Sequence, residues 1–184
     1  MGALIADLAF QRRAKYETTV VPRVHKVRDS LKDKPTTTEL VAWLQSSTEA
    51  DRRSIYNSPS KWQVIEDVAK LFAAEGLDTV EEARAAFTKV SDSADRPDRR
   101  DDLRSKLIRI RNVGKKTRDY VDILLGSDQA RAIDSRIKRS FAAAGVGFRS
   151  YDYGVELIDA TAKKLDWTPQ QVDSALWTAG DKHA

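Results

Sequence analysis

The chain has 184 residues, of which 41% are apolar and 33% charged, with a net charge of +4; this balance suits a globular protein with a real core and argues against disorder. Cysteine is absent, which excludes disulfides, thiolate zinc sites, iron–sulfur clusters and cysteine nucleophiles together. The two histidines, His25 and His183, are far apart in sequence, so a metal site would need carboxylates alone; no suitable cluster is visible, and neither metal nor cofactor is expected.

The opening segment, MGALIADLAFQRRAKYE, has helical spacing with charges inside it and does not read as a secretory signal. No apolar run approaches the length of a membrane span, so no membrane partner is expected and a cytoplasmic location is. Helices are predicted over Leu4–Tyr16 and Val24–Leu31, broken by Pro22. Thr36 and Glu39 form a capping-box pattern before LVAWLQ. After Ser60, the run KWQVIEDVAKLFAAEG sets Trp62, Ile65, Val68, Ala69 and Phe72 on one helix face, with Gly76 as the stop. Thr79 and Glu82 repeat the capping box before EEARAAFTKV. The polar run SDSADRPDRR, residues 91–100, predicts a mobile connection. Further helices are predicted at Asp101–Ile110, Lys115–Leu125, Ser135–Ala144, Tyr153–Leu165 and Pro169–Thr178, the last with a first-turn proline behind Thr168. No strand-like alternation competes, so the fold class is all-α.

Between two of these helices lies only the segment RNVG, followed by KKTRDYV. Lysines at a helix start oppose the macrodipole, unless an anion sits there. The first backbone N–H groups of such a helix form a natural phosphate site, and Gly114 lets a nucleic-acid backbone approach without a Cβ in the way. Asn112 tolerates a left-handed conformation and can close the corner. Val113, Thr117, Tyr120, Val121 and Leu124 are expected to bury one face against the preceding helix, through its Leu103, Leu107 and Ile110. Residues 100–139 hold 12 Lys/Arg against 6 Asp/Glu, a net +6 that leaves −2 for the rest of the chain, and this concentration suits a polyanionic partner. A nucleotide P-loop is excluded: its earlier glycine is Arg109 here, and a strand should precede it.

The pair IRNVGKKTRDYVDILLG and ARAIDSRIKRSF resembles the signature of the helix-hairpin-helix DNA glycosylase superfamily, which includes the endonuclease III-like enzymes. That pattern is roughly Leu-Pro-Gly-Val-Gly-Arg-Lys-Thr-Ala, then Val-Asp-Thr-His-Val some twenty residues on. Val113, Gly114, Lys116 and Thr117 match the hairpin, and Ile133, Asp134, Ser135 and Ile137 match the second block. Arg111 and Asn112 replace the usual Pro-Gly, and Arg136 stands where His is common. The likeness extends over about residues 40–145. It implies two interleaved helical subdomains with a cleft between them. One would be residues 49–127, with the helix-hairpin-helix at about 101–125; the other would be 1–48 plus 128–184. Without cysteine, the chain would belong among the members that lack an iron–sulfur cluster.

The resemblance implies base-excision repair of DNA, with glycosylase and abasic-site lyase activity. Lysine at the position of Lys116 marks the bifunctional enzymes, whose neutral amine attacks the sugar C1′ and forms a Schiff base. Asp134, a natural N-cap for the helix after it, would stabilise the developing positive charge or help activate the nucleophile. DNA contacts would come from Asn112, Val113, Gly114, Lys115, Thr117, Arg118 and Arg136. Tyr56, Asn57 and Trp62 are candidates for a base pocket or wedge, whereas Trp43 and Trp177 read as packing. The expected partner is double-stranded DNA with a damaged base or abasic site, bound by a monomer that would be nucleoid-associated in a bacterium. The rival readings are a non-catalytic helix-hairpin-helix DNA-binding module and a helical scaffold whose basic edge meets an acidic protein.

Overall fold

The computed structural model describes residues 1–31, 35–88 and 98–181, and every regular element among them is helical. Contacts gather the chain into two compact units, Met1–Val113 and Gly114–Ala184. The histidine at 183 and residues 91–97 of the expected mobile connection lie outside the described residues.

In the first unit, α1 (Gly2–Phe10) ends earlier than its apolar spacing suggests. The chain turns at Arg13, whose φ is 52°, and a π-helical turn over Tyr16–Val20 runs straight into α2 (Val21–Ser30). Pro22 therefore does not break a helix but occupies the first turn of one, where its missing N–H costs nothing. The Tyr16 hydroxyl donates to Asp7 Oδ2 at 2.9 Å and ties this turn back to α1.

Helix α3 (Thr37–Ser46) starts behind Thr36, whose hydroxyl accepts from the Glu39 N–H at 3.1 Å. A short helix, α4 (Glu49–Ile55), has no counterpart among the sequence expectations; Thr48 and Asp51 close a full capping box at its start. Helix α5 (Pro59–Ala74) buries Trp62, Ile65, Val68, Ala69 and Phe72, the expected stripe, together with Val64. Gly76, at φ 69°, turns the chain out of it. At α6 (Val80–Thr88) the Thr79–Glu82 capping box is complete in both directions.

Helix α7 (Arg99–Arg109) is capped by Asp98 and buries Leu103 and Leu107. The core of this unit is α1 packed on α2, α3 and α5, with Ile5, Leu8, Phe10, Leu40, Ile65 and Phe72 fully buried; each such side chain contributes roughly 1.5–3 kcal/mol of transfer free energy.

The second unit holds α8 (Lys115–Leu124), α9 (Ser135–Ala143), α10 (Tyr151–Leu165) and α11 (Pro169–Asp181). Thr168 caps α11, accepting from the Gln171 N–H at 3.2 Å while its own N–H donates to Gln171 Oε1 at 2.8 Å. Its core is Ile133, Ile137, Phe141, Ile158, Ala162 and Val172, and α11 lies against both α9 and α10. The α9–α11 approach depends on Gly180: a Cβ there would sit 2.2 Å from the carbonyl oxygen of Arg136. The Ser140 hydroxyl donates to Leu176 O at 2.5 Å and Arg139 Nε donates to Gly180 O at 3.1 Å, so the two helices are joined along their length.

Candidate functional site

The residues singled out by sequence fall in both units. Tyr56, Asn57, Trp62, Asn112 and Val113 belong to the first; Gly114, Lys115, Lys116, Thr117, Arg118, Asp134 and Arg136 belong to the second.

In the first unit, α7 gives way to a turn in which the Val113 N–H donates to Ile110 O at 3.0 Å. Asn112 takes the left-handed conformation there, at φ 71°, as its side chain allows. Its Oδ1 accepts from Arg12 at 2.8 Å. Val113 is buried. The Trp62 indole is also buried; its Nε1–H donates to Tyr56 O at 2.8 Å, and the ring meets Phe10 edge-on and Trp43 at a tilt. It also forms part of the wall of a cavity of about 350 Å³, with Glu49, Arg52, Arg53 and Glu66. Tyr56 carries Arg23 and Lys61 over its ring, each 4.5 Å from the centroid, and Asn57 is exposed.

In the second unit, Gly114 caps α8 with extended backbone and offers no side chain to the first turn. Lys115 is exposed and pairs with Asp152 of α10 at 2.6 Å, a contact worth little in water. Thr117 is buried. The Arg118 Nε donates to Asp119 Oδ1 at 2.6 Å, and the Tyr151 hydroxyl donates to Asp119 Oδ2 at 2.8 Å, so both oxygens of this buried carboxylate are satisfied. Burial and the adjacent Asp119 charge push the Tyr151 pKa upward, which keeps its hydroxyl a donor. These bonds hold the start of α8 to the start of α10.

Lys116 is half-buried, with its Nζ 4.7 Å from the centroid of the Tyr120 ring. Asp134 is the N-cap of α9, and its Oδ1 accepts from the N–H groups of Arg136 and Ile137 at 2.8 and 3.0 Å. The Arg136 guanidinium stacks on Trp177 at 3.9 Å, so that tryptophan both packs and seats a cation.

One buried acid that sequence reasoning missed lies near the head of α9. Asp173 of α11 is buried, 6% exposed, and its Oδ1 accepts from the Ala132 N–H at 2.8 Å, two residues before Asp134. Burial pushes its carboxyl pKa up to about 6; the Ala132 bond opposes that, the Asp134 charge adds to it, and the Lys116 and Arg131 charges oppose it. Lys116 and Asp134 thus both lie within electrostatic range of one buried acid. In sequence Asp173 is one more acid in a polar amphipathic helix, and only its helical register beside Val172 could have hinted at burial.

The chain belongs to the DUF8548 family. Its match to that family, described as a domain of unknown function, covers residues 6–181 and so takes in both units. No curated protein and no solved structure matches it. Within this DUF8548 chain, no group of His, Asp or Glu among the described residues is arranged to hold a metal ion, and no helix among them is long and apolar enough to cross a membrane. Lys116 lies in the first turn of α8, whose cap is the bare Gly114, while Asp134 caps α9 and Asp173 bonds to the backbone just before it.

Proposed function

We infer that the protein is a DNA base-excision enzyme, a glycosylase with an associated abasic-site lyase step, in which Lys116 is the nucleophile and Asp134 its electrostatic partner. The observation that carries this reading is that Asp134 caps α9, its Oδ1 accepting from the Arg136 and Ile137 N–H groups, while Lys116 lies in the first turn of α8 behind the bare Gly114 cap. A lysine amine with a carboxylate partner supplies what Schiff-base chemistry needs: a nucleophile, a counter-charge for the cationic sugar, and a place for protons to go. The neutral Nζ forms a bond to C1′ and gives up a proton as the base departs. The sugar then opens by breaking the C1′–O4′ bond, with O4′ taking up a proton, to leave an iminium at C1′. The resulting iminium acidifies C2′–H, and loss of that proton expels the 3′ phosphate by breaking the C3′–O bond; water then hydrolyses the imine and returns the lysine.

The DNA-contacting role of the segment around 101–125 is supported by the left-handed Asn112, the exposed Gly114, where a Cβ would have nothing within 4 Å, and the exposed Lys115. Val113 and Thr117 are buried, so in this reading they hold the turn in shape and contribute through their backbone.

The test is borohydride trapping on a duplex carrying an abasic site. Wild type is expected to form a covalent adduct, Lys116→Ala none, and Asp134→Asn far less. No adduct from the wild type overturns the lyase step. Salt-sensitive DNA binding that survives Lys116→Ala, with no turnover on any substrate, would instead identify a non-catalytic DNA-binding module.

A further inference from the structure

Residues 135–151, SRIKRSFAAAGVGFRSY, carry four cations and no acid. Arg136 and Arg139 are engaged within the fold, the first stacked on Trp177 and the second donating to Gly180 O. Lys138 and Arg149 are exposed, and among the described residues neither meets a carboxylate. Each lies over a ring instead: Lys138 Nζ is 4.3 Å from the Phe148 centroid, and the Arg149 guanidinium is 5.1 Å from that of Tyr153. Phe148 packs against the core of the second unit, and a Cβ on Gly154 would sit 3.0 Å from its ring, so the ring is seated on α10. A cation over an anchored ring has already lost part of its rotamer freedom. The start of α10 also adjoins the start of α8: Lys115 reaches Asp152, the one acid in the first turn of α10, at 2.6 Å, and Tyr151 reaches Asp119 at 2.8 Å. Lys115, Arg149 and Lys138 therefore follow one another from the bare cap of α8, past the head of α10, to the exposed side of α9.

We propose that Lys138 and Arg149, together with Lys115, form a phosphate-binding strip for duplex DNA that extends the contact at Gly114 onto α9 and α10. The strip rests on the DNA-binding part of the reading above and not on its chemistry. Its charge selects a polyanion: Asp152 is the acid beside these cations, and Lys115 already offsets it. The occupant is a phosphodiester backbone and not a run of unpaired bases. Lys138 covers the Phe148 ring, which otherwise lies against the core, so that ring is closed to base stacking. Lys163 and Lys164 lie outside the strip. They are exposed in the last turn of α10, about 20 Å along the helix from its start, or about two Debye lengths at 0.1 M salt.

The test is fluorescence anisotropy of the full chain with an undamaged DNA duplex at about 50–200 mM salt. Lys138→Gln with Arg149→Gln should lower the slope of log affinity against log salt by about 2 and weaken binding roughly 50-fold near 0.1 M salt. Lys163→Gln with Lys164→Gln removes the same charge elsewhere and should leave the slope within about 0.5 of wild type. An unchanged slope in the first variant, an equal loss in the second, or no binding by wild type overturns the proposal. Tighter binding of wild type to a single strand of the same sequence overturns it too. A second measurement uses wild type alone, so that it holds even should a variant fail to fold. With duplex bound, Lys138 should lose most of its reactivity to acetic anhydride, read by mass spectrometry, while Lys163 and Lys164 keep theirs; equal reactivity of Lys138 with and without duplex overturns the proposal. A lowered slope in the first variant with no borohydride adduct from wild type overturns the lyase step and leaves the strip standing. An adduct from wild type with an unchanged slope in that variant does the reverse.

Discussion

Replacing Gly180 by alanine gives a sharp test of how α9 and α11 are joined. The added Cβ would lie 2.2 Å from the Arg136 carbonyl oxygen, 2.6 Å from its carbon and 2.9 Å from its Cα. These are backbone atoms of a helix, so no rotamer change relieves the contact. The last turn of α11 must move away by about 1 Å to reach an ordinary separation. That movement puts at risk the Arg139 bond to Gly180 O and strains the Ser140 bond to Leu176 O. Overpacking of this kind costs about 1–3 kcal/mol, and one lost hydrogen bond adds about 1. Alanine's better helix propensity returns about 1 kcal/mol. The expected net loss is about 1–3 kcal/mol, read by urea unfolding followed by circular dichroism. Gly147→Ala is the control: its φ is ordinary and nothing lies within 4 Å of the new Cβ, so it should change stability by less than about 0.5 kcal/mol. Should Gly180→Ala match or exceed wild type in stability, propensity alone is operating and the close approach of the two helices is refuted.

Other substitutions separate structural from chemical roles. Asp134→Ala removes the cap from α9 and should cost about 1 kcal/mol in thermal or urea unfolding, whereas Asp134→Asn keeps the cap and should stay near wild type; equal losses would mean that the charge, not the cap, stabilises α9. Tyr151→Phe leaves buried Asp119 without the donor now 2.8 Å away and should destabilise by about 1–3 kcal/mol, measured the same way. Lys115→Ala breaks only an exposed pair with Asp152, so stability should change by less than about 1 kcal/mol; DNA affinity should fall, and its dependence on log salt should lose a slope of about 1.

Asp173 makes stability depend on pH. With its carboxyl raised from 3.8 to about 6, the folded chain keeps a proton that the unfolded chain has lost between those values. Stability should fall by up to ~3 kcal/mol as pH rises through that window and level off above it, and Asp173→Asn should flatten the curve.

Much of the helical framework is legible in the sequence because it is written locally. Thr36, Thr79, Thr168 and Asp134 each accept a backbone N–H of the helix that follows, and Gly76 turns left-handed where α5 stops. Errors arise where the local signal is thin or misread. Helix α4 has seven residues and buries only Ile55, so no periodicity develops, although its Thr48–Asp51 box was there to be read. The apolar spacing of α1 runs on past Phe10, but the backbone at Arg13 turns left-handed and ends it. Asp119 and Asp122 lie on the buried side of α8; the Asp119 carboxylate is accommodated there by its neighbour Arg118 and by Tyr151 of α10. The candidate site divides the same way: Lys116 and Asp134 are visible through a motif, but Asp173 acquires its environment only when α11 packs beside Ala132.

That last point bears on why the acid is there at all. Asp173 lowers stability at neutral pH by the sign worked out above, while the one bond it accepts in the structure needs only an oxygen. Asparagine would meet the same geometric need without an ionisation cost, and a small apolar residue would leave the Ala132 N–H without this acceptor. Asp173→Asn should therefore be the more stable form at neutral pH, which urea unfolding at pH 7 checks. The fold thus keeps at the head of α9 a buried acid that no motif pointed to, bonded to the Ala132 N–H.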